Sequence, residues 1–193
     1  MRVCRWLFLS VIAFSSLGCA LIQPKPFTWK DAVNRQVSEL GYRNWIIIAE
    51  ASFPAHNRPG FRQVSANVEV PEAVDYVLTT FEQTEHVRPG VYLPREQRSV
   101  ENDFAPGIEE FRKKIRDSLH GHESTQLEQQ SLITLLEDAG KNFNVLVIRT
   151  QTALPYSSVF LELKPGYWDA DSETRLRERM QSERLQKISR PMP

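Results

Sequence analysis

Trp45-Ile46-Ile47-Ile48-Ala49-Glu50-Ala51-Ser52-Phe53-Pro54-Ala55-His56 decides how this chain is read. Five apolar residues run straight into a carboxylate, a proline and a histidine. An unbroken apolar run of this length, rich in β-branched residues, is stable as a strand only when both faces are covered, so it belongs inside an α/β sheet. Ligands of such sheets bind beyond the carboxyl ends of the strands, and Glu50 stands at that end.

The alternation continues outward from this strand. Upstream, Thr28 and Asp31 form a capping start, Val33, Val37 and Leu40 mark one helical face, and Gly41 supplies a stop. Downstream, the Asn57-Arg58-Pro59-Gly60 turn leads to extended residues about Val64, Val68 and Val70. Pro71 then suits the first turn of a helix whose inner face is Val74, Val77, Leu78 and Phe81. A short strand is expected at Val91–Leu93, a helix on Ile108, Phe111, Ile115 and Leu119, and a weak strand at Thr125–Gln130. A helix over Leu132–Phe143 and strands at Val145–Arg149 and Ser157–Leu163 complete the pattern. The spacing predicts one α/β domain with a mostly parallel sheet and helices on both faces.

The first residues read as an export signal. Arg2 and Arg5 form a positive start, and Trp6–Leu17 is an apolar stretch too short to span a bilayer. Ser16-Leu17-Gly18-Cys19 resembles a lipobox, which makes Cys19 the lipidated first residue of the mature chain; cleavage after Ala20 is the alternative. Residues 1–19 are thus expected to be a signal peptide, 20–27 a tether stiffened by Pro24 and Pro26, 28–167 the domain, and 168–193 a charged helix or tail. The expected location is the periplasm or cell envelope, at the membrane through a lipid anchor. Cys4 would be discarded, so no disulfide could form within the mature chain.

Charge excludes one class of partner. The chain carries 24 basic and 24 acidic side chains, and loss of Arg2 and Arg5 would tip it slightly acidic, so nucleic acid is not expected. There is no glycine-rich phosphate loop, nucleophile elbow or zinc-type cysteine pair. His120-Gly121-His122-Glu123 reads as an exposed turn at a helix end rather than a metal site, and no metal is assigned.

The run from Glu39-Leu40-Gly41-Tyr42 through Phe53-Pro54-Ala55-His56 resembles the ribose pyranase and fucose mutarotase family. There a leucine-glycine-histidine precedes an aliphatic strand ending in aspartate, and the fucose branch continues into phenylalanine-proline-alanine-histidine. Val147-Ile148-Arg149-Thr150 and Pro155-Tyr156-Ser157-Ser158-Val159-Phe160-Leu161 resemble its closing strands. The resemblance spans about residues 28 to 167. It implies a cofactor-independent isomerase fold that binds a free monosaccharide and assembles as a homo-oligomer. Carried over, Glu50 replaces the sugar-binding aspartate, Tyr42 the acid/base histidine and Ser158 the asparagine, while Tyr156 is kept.

Two readings of function follow. In one, Glu50, His56 and Tyr42 are the acid/base groups of an anomer- or ring-interconverting enzyme, with Glu50, Tyr156, Ser158 and Arg149 binding the sugar. In the other, the pocket binds sugar without turnover or serves a structural role in a lipoprotein.

Overall fold

The computed structural model describes residues 27–189; the signal segment and Cys19 lie outside them. Six strands, β1 (Trp45–Ala49), β2 (Phe61–Ser65), β3 (Val87–Pro94), β4 (Ser124–Leu127), β5 (Val145–Arg149) and β6 (Val159–Pro165), form one sheet in the order β2-β5-β1-β6-β3-β4. The pairs β2·β5, β5·β1 and β3·β4 are parallel. β6 runs antiparallel to both its neighbours, β1 and β3, so it alone opposes the other five. This is the expected mostly parallel α/β sheet.

Helices cover both faces. α1 (Trp29–Glu39), α2 (Val70–Glu82) and α3 (Ile108–Ser118) pack on one face, and α4 (Gln129–Asn142) on the other. The strand alternation explains the split: Ile46, Ile48, Leu146, Ile148, Val159 and Leu161 point toward the first three helices. Trp45, Ile47, Val145, Val147 and Phe160 point toward Leu132 and Leu136 of α4. Because both sides of β1 are covered, all five of its residues are buried. α1 starts on a capping box in which Thr28 Oγ1 accepts from the Asp31 amide while the Asp31 carboxylate accepts from Thr28.

Several boundaries differ from the sequence reading: the segment expected to be extended through Val64, Val68 and Val70 is a strand only over Phe61–Ser65, Val70 already opening α2, and α4 starts at Gln129 rather than Leu132. β3 reaches back from Val91 to Val87 through Pro89 and Gly90, residues that normally break strands. Pro89 is tolerated because β3 pairs on that stretch with β6 alone, β4 joining only from Val91. At Gly90 the Lys164 side chain lies across the open backbone, where a Cβ would meet its end at 2.7 Å and displace it. The strand read at Thr125–Gln130 stops at Leu127, since both oxygens of the Glu96 carboxylate accept from the Gln129 amide (3.0 and 3.1 Å) and close the amino end of α4 there. β6 begins at Val159 because Ser157 and Ser158 belong to the bend before it.

The charged carboxyl-terminal segment forms a 20-residue helix, α5 (Ala170–Ser189). Its apolar side chains Leu176, Met180, Leu185 and Ile188 are exposed. No helix among the described residues is long and apolar enough to cross a membrane.

Candidate functional site

All five co-directed strands end at one edge of the sheet, and the buried polar side chains collect there. Glu50, Gln97, Thr150, Thr152, Ser157 and Ser158 are six of the seven buried polar residues described, the seventh being Gln36 in α1. A buried carboxylate is costly unless its oxygens are satisfied. Glu50 meets that condition within the chain. Its Oε1 accepts from Ser52 Oγ (3.1 Å). Its Oε2 accepts from the Ser157 amide (3.0 Å), with Ser157 Oγ and Ser158 Oγ each at 3.4 Å. Ser158 Oγ in turn accepts from the Glu50 amide at 3.1 Å. Glu50 therefore fastens the 150–158 loop to the end of β1.

The same loop is held along its length. The Thr150 amide and hydroxyl both donate to the Ala49 carbonyl, and the Ala51 amide donates to Thr152 O. Thr152 Oγ1 accepts from the Val70 amide at 2.8 Å and donates to the Glu69 carboxylate, tying the loop to the first turn of α2. Gln97 Nε2 donates to Tyr156 O at 3.0 Å, and Ser157 Oγ donates to Leu154 O at 2.7 Å. Tyr156 has φ of 56°, a left-handed conformation rare for a side chain of its size, and these anchors on either side of it keep it there.

Beside this loop opens a cleft of about 370 Å³, set between the amino ends of α2 and α3. Leu154, Pro71 and Phe111 give it apolar walls, and Glu69, Glu72, Glu110 and Lys114 supply polar groups. Lys114 Nζ lies 2.8 Å from Glu110 Oε1; that contact holds the Glu110 carboxyl below its ordinary range and lifts the Lys114 ammonium above its own. Carboxylates, an ammonium and apolar walls converging at the carboxyl edge of an α/β sheet can take a small polyhydroxylated molecule, its hydroxyls donating to the carboxylates. None of the cleft residues stood out in the sequence as ligand-binding, Pro71 and Phe111 being read only as helix positions, because three separate segments bring them together. The signal that was present is Glu69 standing two residues before Pro71, at the start of a helix.

The structure gathers some of the sequence candidates and separates others. Glu50 and Ser158 share one network, and Tyr156 borders it. Tyr42 lies before β1, in a turn at the opposite edge of the sheet. It is 56 % exposed, and the five residues of β1, roughly 16 Å at about 3.3 Å each, separate it from Glu50. His56 is not at the Glu50 carboxylate either. Its ring stacks on Phe61 at the start of β2 (4.2 Å between centroids, 20° between planes), and its Nε2 is buried without a partner. Burial pushes its pKa down, with Glu137 opposing and Arg58 assisting. Arg149 points to the α4 face, where its Nη2 donates to Phe53 O at 2.6 Å while its Nε is buried without a partner; it fixes the loop after β1.

His120, read as part of an exposed turn, has φ of 50° and bridges α2: Nε2 is 2.7 Å from Asp75 and Nδ1 3.6 Å from Glu82. Among the described residues no group of three or more histidine, cysteine or acidic side chains is placed to hold a metal ion.

No protein-family profile matches this chain, and no curated protein matches it. Solved structures with a similar fold do. Bacillus subtilis RbsD complexed with D-ribose aligns at 18% identity over 72% of this chain and 96% of its own, with a TM-score of 0.48. The fucose mutarotase from Streptococcus pneumoniae in complex with L-fucose aligns at 20% identity over 66% and 87% of the two chains, TM-score 0.44. FucU from Bifidobacterium longum aligns at 17% identity over 68% and 91%, TM-score 0.44. Likeness at this level transfers no residue roles.

Proposed function

We propose that this protein binds a monosaccharide at the carboxyl edge of its sheet, in the cleft beside the 150–158 loop, and holds it without interconverting its forms. The observation that carries this reading is the engagement of Glu50. A general base needs a lone pair aimed at the proton it removes, within hydrogen-bond reach. Glu50 Oε2 is filled by Ser157 and Ser158, and Oε1, which keeps one lone pair beside Ser52, belongs to a residue that is only 9 % exposed. Tyr42 stands at the other edge and the His56 ring stacks on Phe61, so neither of these two candidates is hydrogen-bonded to Glu50. Glu50 acts as a positioning residue that holds the 150–158 loop, and through it the wall formed by Leu154. Glu69, Glu72, Glu110 and Lys114 supply the contacts to sugar hydroxyls.

Support for sugar as the ligand comes from the character of the cleft and from the residues shared with the pyranase and mutarotase family, two of whose likenesses are complexes with D-ribose and L-fucose. In this reading no cofactor takes part and the protein works as a homo-oligomer. It is exported and anchored by a lipid on Cys19, so Cys19→Ala should release it from membranes; an unchanged membrane fraction would refute the anchor.

The test pairs two measurements on ribose, fucose and related sugars. Thermal melting should rise with sugar concentration, by mass action on the native state. Saturation-transfer NMR should show anomer exchange at the buffer rate with excess protein. Exchange above that rate, abolished by Glu50→Gln, would restore the catalytic reading. No thermal shift with any sugar would remove binding.

A further inference from the structure

A second cleft shares the edge with the first. It is about 670 Å³ and lies between the start of α1 and the residues after β2, with Phe27, Trp29, Tyr76, Asn34, Asn67 and Lys30 around it. Trp29 and Tyr76 meet edge to face, 5.1 Å between centroids and 72° between planes, and both are partly open to solvent. Phe27 is 67 % exposed. Asn34 Oδ1 accepts from the Tyr76 hydroxyl at 3.0 Å, which turns the amide so that its NH2 points away from that bond. Lys30 Nζ sits 4.7 Å from the Tyr76 ring and 5.5 Å from the Trp29 ring. Aromatic rings with neutral amides at their borders suit a sugar ring, whose C–H face packs on an aromatic surface while its hydroxyls reach the amides. Lys30 is exposed on a flexible stem and can swing aside to donate to a hydroxyl.

The two clefts flank the same turn of chain. Val68 lines the aromatic cleft and Glu69, the next residue, lines the acidic one. On α2, Glu72 faces the acidic cleft and Tyr76, four residues on, the aromatic one, so they are neighbours along one helix face, about 6 Å apart in rise. A free monosaccharide could fill one cleft and would leave the other unused. We infer that the ligand is an oligosaccharide, with one sugar unit in the acidic cleft beside Leu154 and a further unit on the Trp29–Tyr76 platform. This rests on the sugar-binding reading above and extends it from a free sugar to a chain.

The experiment compares monosaccharides with their short oligomers on the folded protein by calorimetry: glucose with maltotriose and cellotriose, and N-acetylglucosamine with chitotriose. In at least one series the trisaccharide should bind at least tenfold tighter than its monosaccharide. Trp29→Ala should remove that gain and leave monosaccharide affinity within twofold. Because Trp29 also packs on the core, Asn34→Ala, an exposed position, provides the second variant and should reduce the gain at least threefold. Equal affinity for monomer and trimer in every series would overturn the inference while leaving the sugar site standing, as would a gain that survives both variants. Binding of phosphatidylglycerol vesicles, lost in Trp29→Ala with no chain-length gain, would overturn it in favour of a lipid surface. If no sugar binds at all, the sugar reading falls and this inference falls with it.

Discussion

The two edges of the sheet are built on opposite terms. At the carboxyl edge, Glu50, Gln97, Thr150, Thr152, Ser157 and Ser158 are buried and bonded to one another or to backbone, and two clefts open beside them. At the amino edge of β1, the Gly41–Asn44 turn carries Tyr42 and Arg43 in the open, with the Arg43 guanidinium 5.3 Å from the Tyr42 ring. Both edges must reverse the chain. Only one does so by burying polar groups, which is costly wherever a partner is missing and therefore is found where a loop has to be held in one shape.

The largest effect should come from breaking the buried side of this contrast. Glu50→Ala strips partners from the Ser157 amide and the Ser158 hydroxyl at once and should cost about 2–4 kcal/mol in denaturant unfolding, given roughly 1–3 kcal/mol per stranded buried group. Glu50→Gln, which keeps an acceptor oxygen, should cost less. A loss under about 0.5 kcal/mol for Glu50→Ala would mean the network does not hold the loop.

A smaller effect is expected between the two edges, where Tyr92 Oη donates to Glu162 Oε2 at 2.8 Å on the α4 face. Burial and the neighbouring carboxylate push the Tyr92 phenol up to about 12. A group whose pKa is raised on folding stabilises the native state fully below its unfolded value near 10. That contribution is lost as pH climbs through 12. Ultraviolet titration should show a tyrosine ionisation delayed to about pH 12, and Tyr92→Phe should remove that step. His56 works in the other direction: with its pKa lowered, the neutral ring favours the native state above pH 6.5, and the contribution fades as pH falls below that value.

The smallest effect belongs to the open edge. Tyr42→Ala should change stability by less than about 0.5 kcal/mol, in keeping with an exposed side chain, and should leave sugar binding unaltered. A large loss of binding there would place Tyr42 in a site that this single chain does not form.

Much of the architecture was legible. Trp45–Ile48 and Val145–Ile148 could only be central strands, because no surface position tolerates such runs, and the faces of α2 and α3 follow from apolar spacing alone. β3 was foreshortened because Pro89 and Gly90 look like breakers until the pairing shows that one side of that stretch has no neighbour. The site was legible in part. Glu50 was conspicuous as a charge after a buried run, yet its role depends on Ser157 and Ser158, more than a hundred residues away. The separation of Tyr42 from Glu50 could have been read directly, since a five-residue strand between them must set them at opposite edges. The cleft residues Glu69, Glu110 and Leu154 come from the start of α2, the first turn of α3 and the 150–158 loop, three segments far apart in the sequence.

The most direct measurement is an amide NMR titration of the folded protein with the monosaccharide that gives the largest thermal shift. Binding at the carboxyl edge predicts shifts concentrated at residues 67–72, 107–114 and 150–158, with Tyr42 and Arg43 unmoved. Shifts centred on the Gly41–Asn44 turn, or scattered over the surface without saturation, would contradict it.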